Sequence, residues 1–342
     1  MIVMNQLKVA SFYTQLDNQK VKCTLCPWNC LIKEGRCGVC GVRENRQGKL
    51  YSLVYGKPCS VAADPIEKKP LFHFYPGTLV LSLGTYGCNM CCGHCQNWQI
   101  AHVGEGPTQE IPPERLVSLA IENDCQGIAW TYNEPTIWFE YVLDSAKIAK
   151  AAGLYTAFVT NGYINQEPLD MLAPYLDAYR VDVKGFTNDF YFKLAKIQDF
   201  SPVLRSAERI KKKWQKHVEI ITLVIPTMND DDLQLKGIAD WMMKNLGTET
   251  PWHLTRFSPY LEFSHLPPTP VATLEKARAI GQKAGLKFVY LGNVLGHPAE
   301  STYCPKCQHL LIERAGYQIG LKGLKNNCCA NCDQLISGVF TR

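Results

Sequence analysis

Residues 87–98 read GCNMCCGHCQNW, and this stretch places Cys88, Cys91, Cys92 and Cys95 within eight positions. One interpretation pairs the cysteines as two CxxC knuckles around a single zinc ion. The other takes Cys88, Cys92 and Cys95 as a CxxxCxxC set and leaves Cys91 aside. A cluster bound by three cysteines has one iron without a protein ligand, because iron–sulfur clusters normally take four.

The adjacency of Cys91 and Cys92 disfavours the zinc interpretation. Two zinc knuckles are usually separated by a long connection, which lets both face one tetrahedral ion. The stretch also directly follows a predicted buried strand, and a loop after a strand accommodates CxxxCxxC well. We therefore interpret Cys88, Cys92 and Cys95 as ligands of a [4Fe–4S] cluster whose open iron takes a substrate or cofactor.

Strands and helices alternate along the chain from residue 78 to residue 292. This alternation predicts a parallel sheet with helical crossovers. Strands are predicted at 78–84, 127–132, 154–160, 178–183, 218–225, 251–257 and 287–292. Helices are predicted at 112–124, 135–153, 167–175, 201–216, 230–247 and 271–285. About six such repeats predict an α/β fold of the partial (β/α)6-type TIM barrel. The cysteine loop, YNEP, TNGY and VKG follow four successive strands, so we expect them to share one site.

Cysteine-rich segments flank this core. We predict a metal-binding module at 1–70, the core at 71–296 and a zinc-ribbon-like module at 297–342. The C-terminal segment has two CxxC knuckles separated by 21 residues, a spacing typical of structural zinc, with an iron–sulfur cluster as the competing interpretation. The predicted ligands are Cys304, Cys307, Cys329 and Cys332, and Cys328 stays outside the site.

The N-terminal segment can also supply four thiolates. Our choice is Cys23, Cys26, Cys30 and Cys40, with Cys37 as the substitute for Cys40. Zinc and an auxiliary iron–sulfur cluster both use four thiolates, so the sequence leaves the two open.

Composition limits the partners and the compartment. A net charge of +5 over 342 residues is mildly basic, and we expect no nucleic-acid partner. We see no secretory signal and no run of about 18 apolar residues, so we expect a cytoplasmic chain without a membrane partner. In a reducing compartment, 16 cysteines point to metal sites or redox chemistry and not to disulfides.

The cysteine loop resembles that of the radical S-adenosylmethionine superfamily. CNMCCGHC has the family's CxxxCxxC spacing, and His94 stands where an aromatic residue usually precedes the last cysteine. The resemblance implies that the methionyl amine and carboxylate of S-adenosylmethionine chelate the open iron. It also implies that one electron from the cluster yields a 5′-deoxyadenosyl radical, which abstracts a hydrogen atom.

Further motifs are similar to the activating enzymes of glycyl radical enzymes, among them DPIEKKPLFHFYPGT, AWTYNEPTIWFEY, VTNGYI and DVKGF. The cysteine-rich start, YNEPT and NVLGHPAESTYCPKC resemble the AmmeMemoRadiSam group. This resemblance implies an oxidoreductase like the pyruvate formate-lyase activating enzyme. It also implies a protein substrate and an electron donor such as flavodoxin or ferredoxin.

The resemblance assigns two groups of residues to S-adenosylmethionine near the second and third strands. Asn133 and Glu134 stand where many members have GGE, so Glu134 would accept the methionyl ammonium. Thr160 and Asn161 match the activases' TNG and would bind ribose or carboxylate.

The fourth strand supplies a third group. Asp182 and Lys184 match the activases' D-x-K and share one face of a strand. Lys184 would pair with the methionyl carboxylate, and Asp182 with Lys184 or a cation. Val159 and Leu261 depart from the activases' aspartate and histidine, which puts the activases' cation arrangement in doubt.

Two other functions stay open at this point. One is a radical enzyme that modifies a small molecule or tRNA. The other, from a different class, is a zinc-rich module that binds nucleic acid or protein.

Overall fold

The structure, a computed structural model, describes residues 7–341 and divides into two compact units. The first joins the described residues up to Ala63 with Val80–Asp177, and the second joins Asp64–Leu79 with the described residues from Ala178 onwards. These two units do not correspond to the three domains predicted with boundaries at residues 70 and 296, and that division stays a prediction.

The first unit begins with short strands in two three-stranded antiparallel sheets, ordered β1-β6-β5 and β2-β3-β4. The strands are β1 (Lys8–Val9), β2 (Tyr13–Gln15), β3 (Val21–Cys23), β4 (Leu31–Ile32), β5 (Arg43–Arg46) and β6 (Lys49–Ser52). A longer strand, β7 (Ser60–Pro65), follows them. Because β1–β6 are only two to four residues long, most of this segment consists of loops, and these loops carry most of its cysteines.

The first unit also contains three parallel strands. The middle strand pairs with both others, and its Gly127 lies opposite Val80 on one side and Tyr155 on the other. They are β8 (Leu79–Gly84), β9 (Gly127–Trp130) and β10 (Tyr155–Thr160). Their residues are buried almost without interruption, as expected for parallel strands covered on both faces. The helices are α1 (Trp98–Ala101), α2 (Pro113–Glu122), α3 (Phe139–Ala151) and α4 (Gln166–Leu172).

A buried ion pair ties the N-terminal strands to α3. Arg43 Nη1 lies 3.0 Å from both carboxylate oxygens of Glu140, and both side chains are at most 3% exposed. The backbone of Ser11 adds a donor to Glu140 and an acceptor to Arg43. Because removal of one partner would leave a buried charge, this pair fixes the N-terminal segment on the helix.

The second unit contains four more parallel strands in chain order. They are β11 (Ala178–Asp182), β12 (His217–Val224), β13 (Trp252–Arg256) and β14 (Val289–Gly292). The helices are α5 (Asn188–Ala195), α6 (Ser201–Lys212), α7 (Asp232–Asn245) and α8 (Val271–Ala284).

The C-terminal segment of this unit has a three-stranded antiparallel sheet, ordered β15-β16-β17, and a β18-β19 hairpin. Its strands are β15 (Thr302–Tyr303), β16 (Leu310–Ala315), β17 (Gln318–Leu321), β18 (Leu324–Lys325) and β19 (Cys328–Cys329). Phe72, Phe288 and Tyr290 pack with Leu311 and Phe340 in one apolar cluster, which anchors the segment to β14.

The predicted fold class, an α/β fold of successive strand–helix units with a zinc-ribbon-like C-terminal module, is confirmed. The helix predicted at 135–153 begins as a 3₁₀ turn, Pro135–Trp138, before α3. The prediction missed α1 and α5. Helix α5 has a local signal, since the Thr187 side chain accepts a hydrogen bond from Phe190 N as an N-cap. Among the described residues, no helix has the length and apolarity that crossing a membrane requires.

A buried carboxylate organises the base of the second unit's sheet. Glu219 accepts hydrogen bonds from the backbone of Phe72 and His73 and from the rings of His217 and His253, at 2.6–3.1 Å. Burial alone would raise the pKa of Glu219, but the bonds from the two histidines lower it well below its usual range. The carboxylate therefore stays ionised although it is buried.

His73 is a buried neutral histidine. Its Nδ1 lies 2.6 Å from Ser337 O and so carries the proton, while Nε2 accepts from Tyr290 Oη at 2.6 Å. Burial lowers the pKa of His73 to about 4, whereas an unfolded histidine titrates near 6.5.

This difference predicts a pH-dependent stability. Below about pH 6.5 the unfolded chain binds a proton that folded His73 does not, so stability is lost as the pH falls towards 4. We expect His73 to contribute a loss of about 1.5 kcal/mol between pH 6.5 and 5. Urea unfolding at both pH values should show a flatter dependence for His73→Asn. The exposed His265→Asn is the control, and an equal slope in His73→Asn and wild type would contradict the assignment.

Candidate active site

The loop after β8 brings the three predicted cluster ligands together. Cys92 is buried, Cys88 and Cys95 are partly buried, and Cys91 is exposed. Burial raises the pKa of Cys88 well above its usual value, and the nearby Glu134, Cys92 and Cys95 raise it further. Three thiols thus lie beside one another, while the fourth cysteine of the stretch faces solvent.

Glu134 lies in the segment after β9 and is 1% exposed. Its Oε1 accepts hydrogen bonds from Thr136 N at 2.9 Å and Thr160 Oγ1 at 2.6 Å, and its Oε2 accepts one from Asn161 N at 2.7 Å. Burial raises the pKa of Glu134, and these bonds oppose the shift. Glu134 therefore caps the 3₁₀ turn and also fixes the end of β10.

Two asparagines connect the segments after β9 and β10 to the cysteine loop by hydrogen bonds. Asn161 Nδ2 donates to Asn89 Oδ1 at 2.8 Å and lies 3.9 Å from Cys88 Sγ. Asn133 Nδ2 donates to Gly87 O at 2.7 Å. The backbone is thus held on both sides of Cys88 by residues that follow β9 and β10.

The residues fit the cofactors that the sequence implies. Three clustered thiols are a suitable donor set for an iron–sulfur cluster. A carboxylate offers about four lone-pair positions, and three of them at Glu134 are used, so one remains for an ammonium. The assignment of Asn133, Glu134, Thr160 and Asn161 to S-adenosylmethionine stays a prediction, as does that of His94, which is buried in the loop.

Asp182 and Lys184 lie in the second unit and form an ion pair, with Lys184 Nζ 3.3 Å from Asp182 Oδ2. The prediction missed Arg180, whose Nη1 lies 2.5 Å from Asp182 Oδ1. Strand alternation carried the signal, because residues 180, 182 and 184 share one face. A contact of Asp182 or Lys184 with S-adenosylmethionine stays a prediction.

The N-terminal quartet of Cys23, Cys26, Cys30 and Cys40 lines one pocket. Burial raises the pKa of Cys40 to about 11, and the thiols of Cys23 and Cys30 raise it as well. Cys37, the substitute ligand, is exposed and pairs in a β-bridge with Glu44.

The C-terminal quartet of Cys304, Cys307, Cys329 and Cys332 is more compact. All four sulfur atoms lie within 4.8 Å of one another, and two pairs are 3.6 Å apart. A tetrahedral ion with metal–sulfur bonds of about 2.3 Å places its ligands about 3.8 Å apart. The geometry suits one tetrahedral ion, and Cys328 is not part of the group.

Comparison with known proteins agrees with this geometry. The family model described as the radical SAM superfamily matches residues 82–235, which run from the second half of β8 through the cysteine loop and β9–β12 to the first turn of α7. Residues 82–235 of the chain therefore form a radical SAM superfamily domain.

An uncharacterized protein of Methanocaldococcus jannaschii is 48% identical over 310 residues, 90% of this chain and 92% of that protein. The pyruvate formate-lyase-activating enzyme of Clostridium pasteurianum is 25% identical over 167 residues, 47% of this chain and 67% of that enzyme. A solved radical SAM methyltransferase from Sphaerobacter thermophilus is alike in fold, with a TM-score of 0.50 and 15% identity over 69% of this chain and 71% of that one.

The bonds of Glu134 can be tested by Glu134→Gln. An amide has one acceptor oxygen, so at least one of the three donors would face the NH₂ group. We expect a loss of about 1–3 kcal/mol in the free energy of unfolding and weaker iron retention. Chemical unfolding and iron analysis measure both. The exposed Glu122→Gln is the control, and an unchanged Glu134→Gln protein would contradict the network.

Proposed function

We propose that this chain is a radical S-adenosylmethionine enzyme that abstracts a hydrogen atom from a protein, in the manner of glycyl radical enzyme activases. Superfamily membership supports the chemistry, and the set of Cys88, Cys92 and Cys95 beside Glu134 is the observation that carries it. With its cluster and S-adenosylmethionine bound, the site would supply reductive cleavage to a 5′-deoxyadenosyl radical.

The chain's own residues would bind the cluster and orient S-adenosylmethionine. Cys88, Cys92 and Cys95 would hold the cluster, and Glu134 would accept the methionyl ammonium on its remaining lone pair. Asn161 would keep Cys88 in place through Asn89. Burial of Cys92 and Glu134 would exclude water from the reacting centre.

A protein substrate is supported by the similarity to the pyruvate formate-lyase-activating enzyme. A cytoplasmic location, membership of the AmmeMemoRadiSam group and a flavodoxin or ferredoxin donor are parts of the same proposal. Superfamily membership favours an enzyme over the zinc-rich binding module that the sequence left open.

Anaerobic reconstitution tests the proposal. With dithionite and S-adenosylmethionine, the wild-type protein should release 5′-deoxyadenosine, detected by chromatography and mass spectrometry. Cys92→Ala should release none, since a cluster needs its thiolate ligands. Cys91→Ala is the matched control and should act like wild type, because Cys91 is exposed. Equal product from Cys92→Ala and wild type would refute the assignment.

We also propose that the C-terminal quartet holds zinc. Elemental analysis should find about one zinc per chain bound there. Cys304→Ala should lose it, whereas the neighbouring Cys328→Ala should keep it. Iron in place of zinc, or zinc retained by Cys304→Ala, would count against the proposal.

A further inference from the structure

We propose that Cys23, Cys26, Cys30 and Cys40 bind a second iron–sulfur cluster, which relays electrons to the cluster at Cys88, Cys92 and Cys95. The binding site is inferred from the first unit alone. The relay rests on the proposed function.

The four thiols line one pocket. The pocket wall consists of the four cysteines with Trp28, Val39, Arg43, Asn89 and a few aliphatic side chains. Arg43 is 1% exposed, and its Nε has no hydrogen-bond partner among the described residues. A cluster bound by four thiolates is anionic, and a buried guanidinium with a spare N–H suits it, since hydrogen bonds and charge stabilise such clusters.

The C-terminal quartet differs from this site. Its four sulfurs all lie within 4.8 Å of one another, a spacing that suits a single tetrahedral ion. The N-terminal four instead line a pocket together with Trp28, Arg43 and Asn89.

The pocket adjoins the catalytic loop on both sides of Cys88. Trp28 Nε1 donates to Asn89 O at 2.7 Å, and Asn89 itself lines the pocket. Gly87 has φ +87°, and a Cβ there would collide with the carbonyl oxygen of Cys40. The two cysteine sites thus share backbone contacts at residues adjacent to their ligands.

The other side of the pocket approaches solvent. Val39 lines the pocket and is 53% exposed. A one-electron carrier of the flavodoxin or ferredoxin class could transfer one electron to the N-terminal cluster here. That cluster would pass the electron to the catalytic cluster and return to its oxidised state, with no bond or proton transferred.

The decisive protein is the Cys88→Ala/Cys92→Ala/Cys95→Ala variant, which leaves the N-terminal site untouched. Purified anaerobically and reconstituted, it should retain about two to four iron and equal sulfide per chain, with the Mössbauer signature of a cluster. Absence of iron in this variant, or a zinc beyond that of the C-terminal quartet, overturns the cluster. Failure of the proposed function would appear separately, as wild type with no more iron than this variant.

A second pair of variants locates the iron and tests the relay. Cys26→Ser/Cys30→Ser should lose the iron that the triple variant keeps, and Cys37→Ser, the exposed control, should retain it. Reduction of the catalytic cluster by photoreduced flavodoxin, followed by EPR, should be severalfold slower in Cys26→Ser/Cys30→Ser than in Cys37→Ser. Equal rates overturn the relay.

Discussion

The site depends on a buried carboxylate that the backbone must satisfy. Glu134 is 1% exposed, and an unpaired carboxylate at that depth would cost several kcal/mol. Its carboxylate oxygens accept hydrogen bonds from Thr136 N, Thr160 Oγ1 and Asn161 N. These bonds hold the segment after β9 against the end of β10. Because Asn161 then reaches Asn89, the orientation of the cysteine loop follows from this one group.

The same constraint explains why the N-terminal segment folds with the first strands of the core. Trp28 donates to Asn89, and Arg43 pairs with Glu140 in α3. Composition marks residues 1–70 as a cysteine-rich module, yet the described residues up to Ala63 form one compact unit with Val80–Asp177. A segment with strands of two to four residues has too little core to fix itself, so it takes its order from the loop and helix that it covers.

The sequence predicted the parallel strands well, because their buried residues read as continuous apolar runs such as YTAFVT. It also indicated the neighbours of Cys88, since polar residues directly follow β9 and β10. It could not show the Arg43–Glu140 pair, whose members are 97 positions apart and carry no local pattern. Nor could it show that three protein groups donate hydrogen bonds to Glu134. The sequence of a strand end is the same whether its carboxylate contacts a ligand or a backbone amide.

Cysteine spacing along the chain has a similar limit. CxxC knuckles and CxxxCxxC loops both supply thiolates, and four thiolates suit zinc or an iron–sulfur cluster. The surroundings of the sulfurs, which the fold sets, are not visible in that spacing. Strands β15–β19 bring the C-terminal sulfurs to 3.6 Å in pairs, whereas the end of β3 and the loops after β3 and β4 place theirs around a pocket beside Arg43. The zinc site and the cluster site that we propose thus use the same residue type in two different surroundings, a compact set of four sulfurs and a pocket with a buried guanidinium.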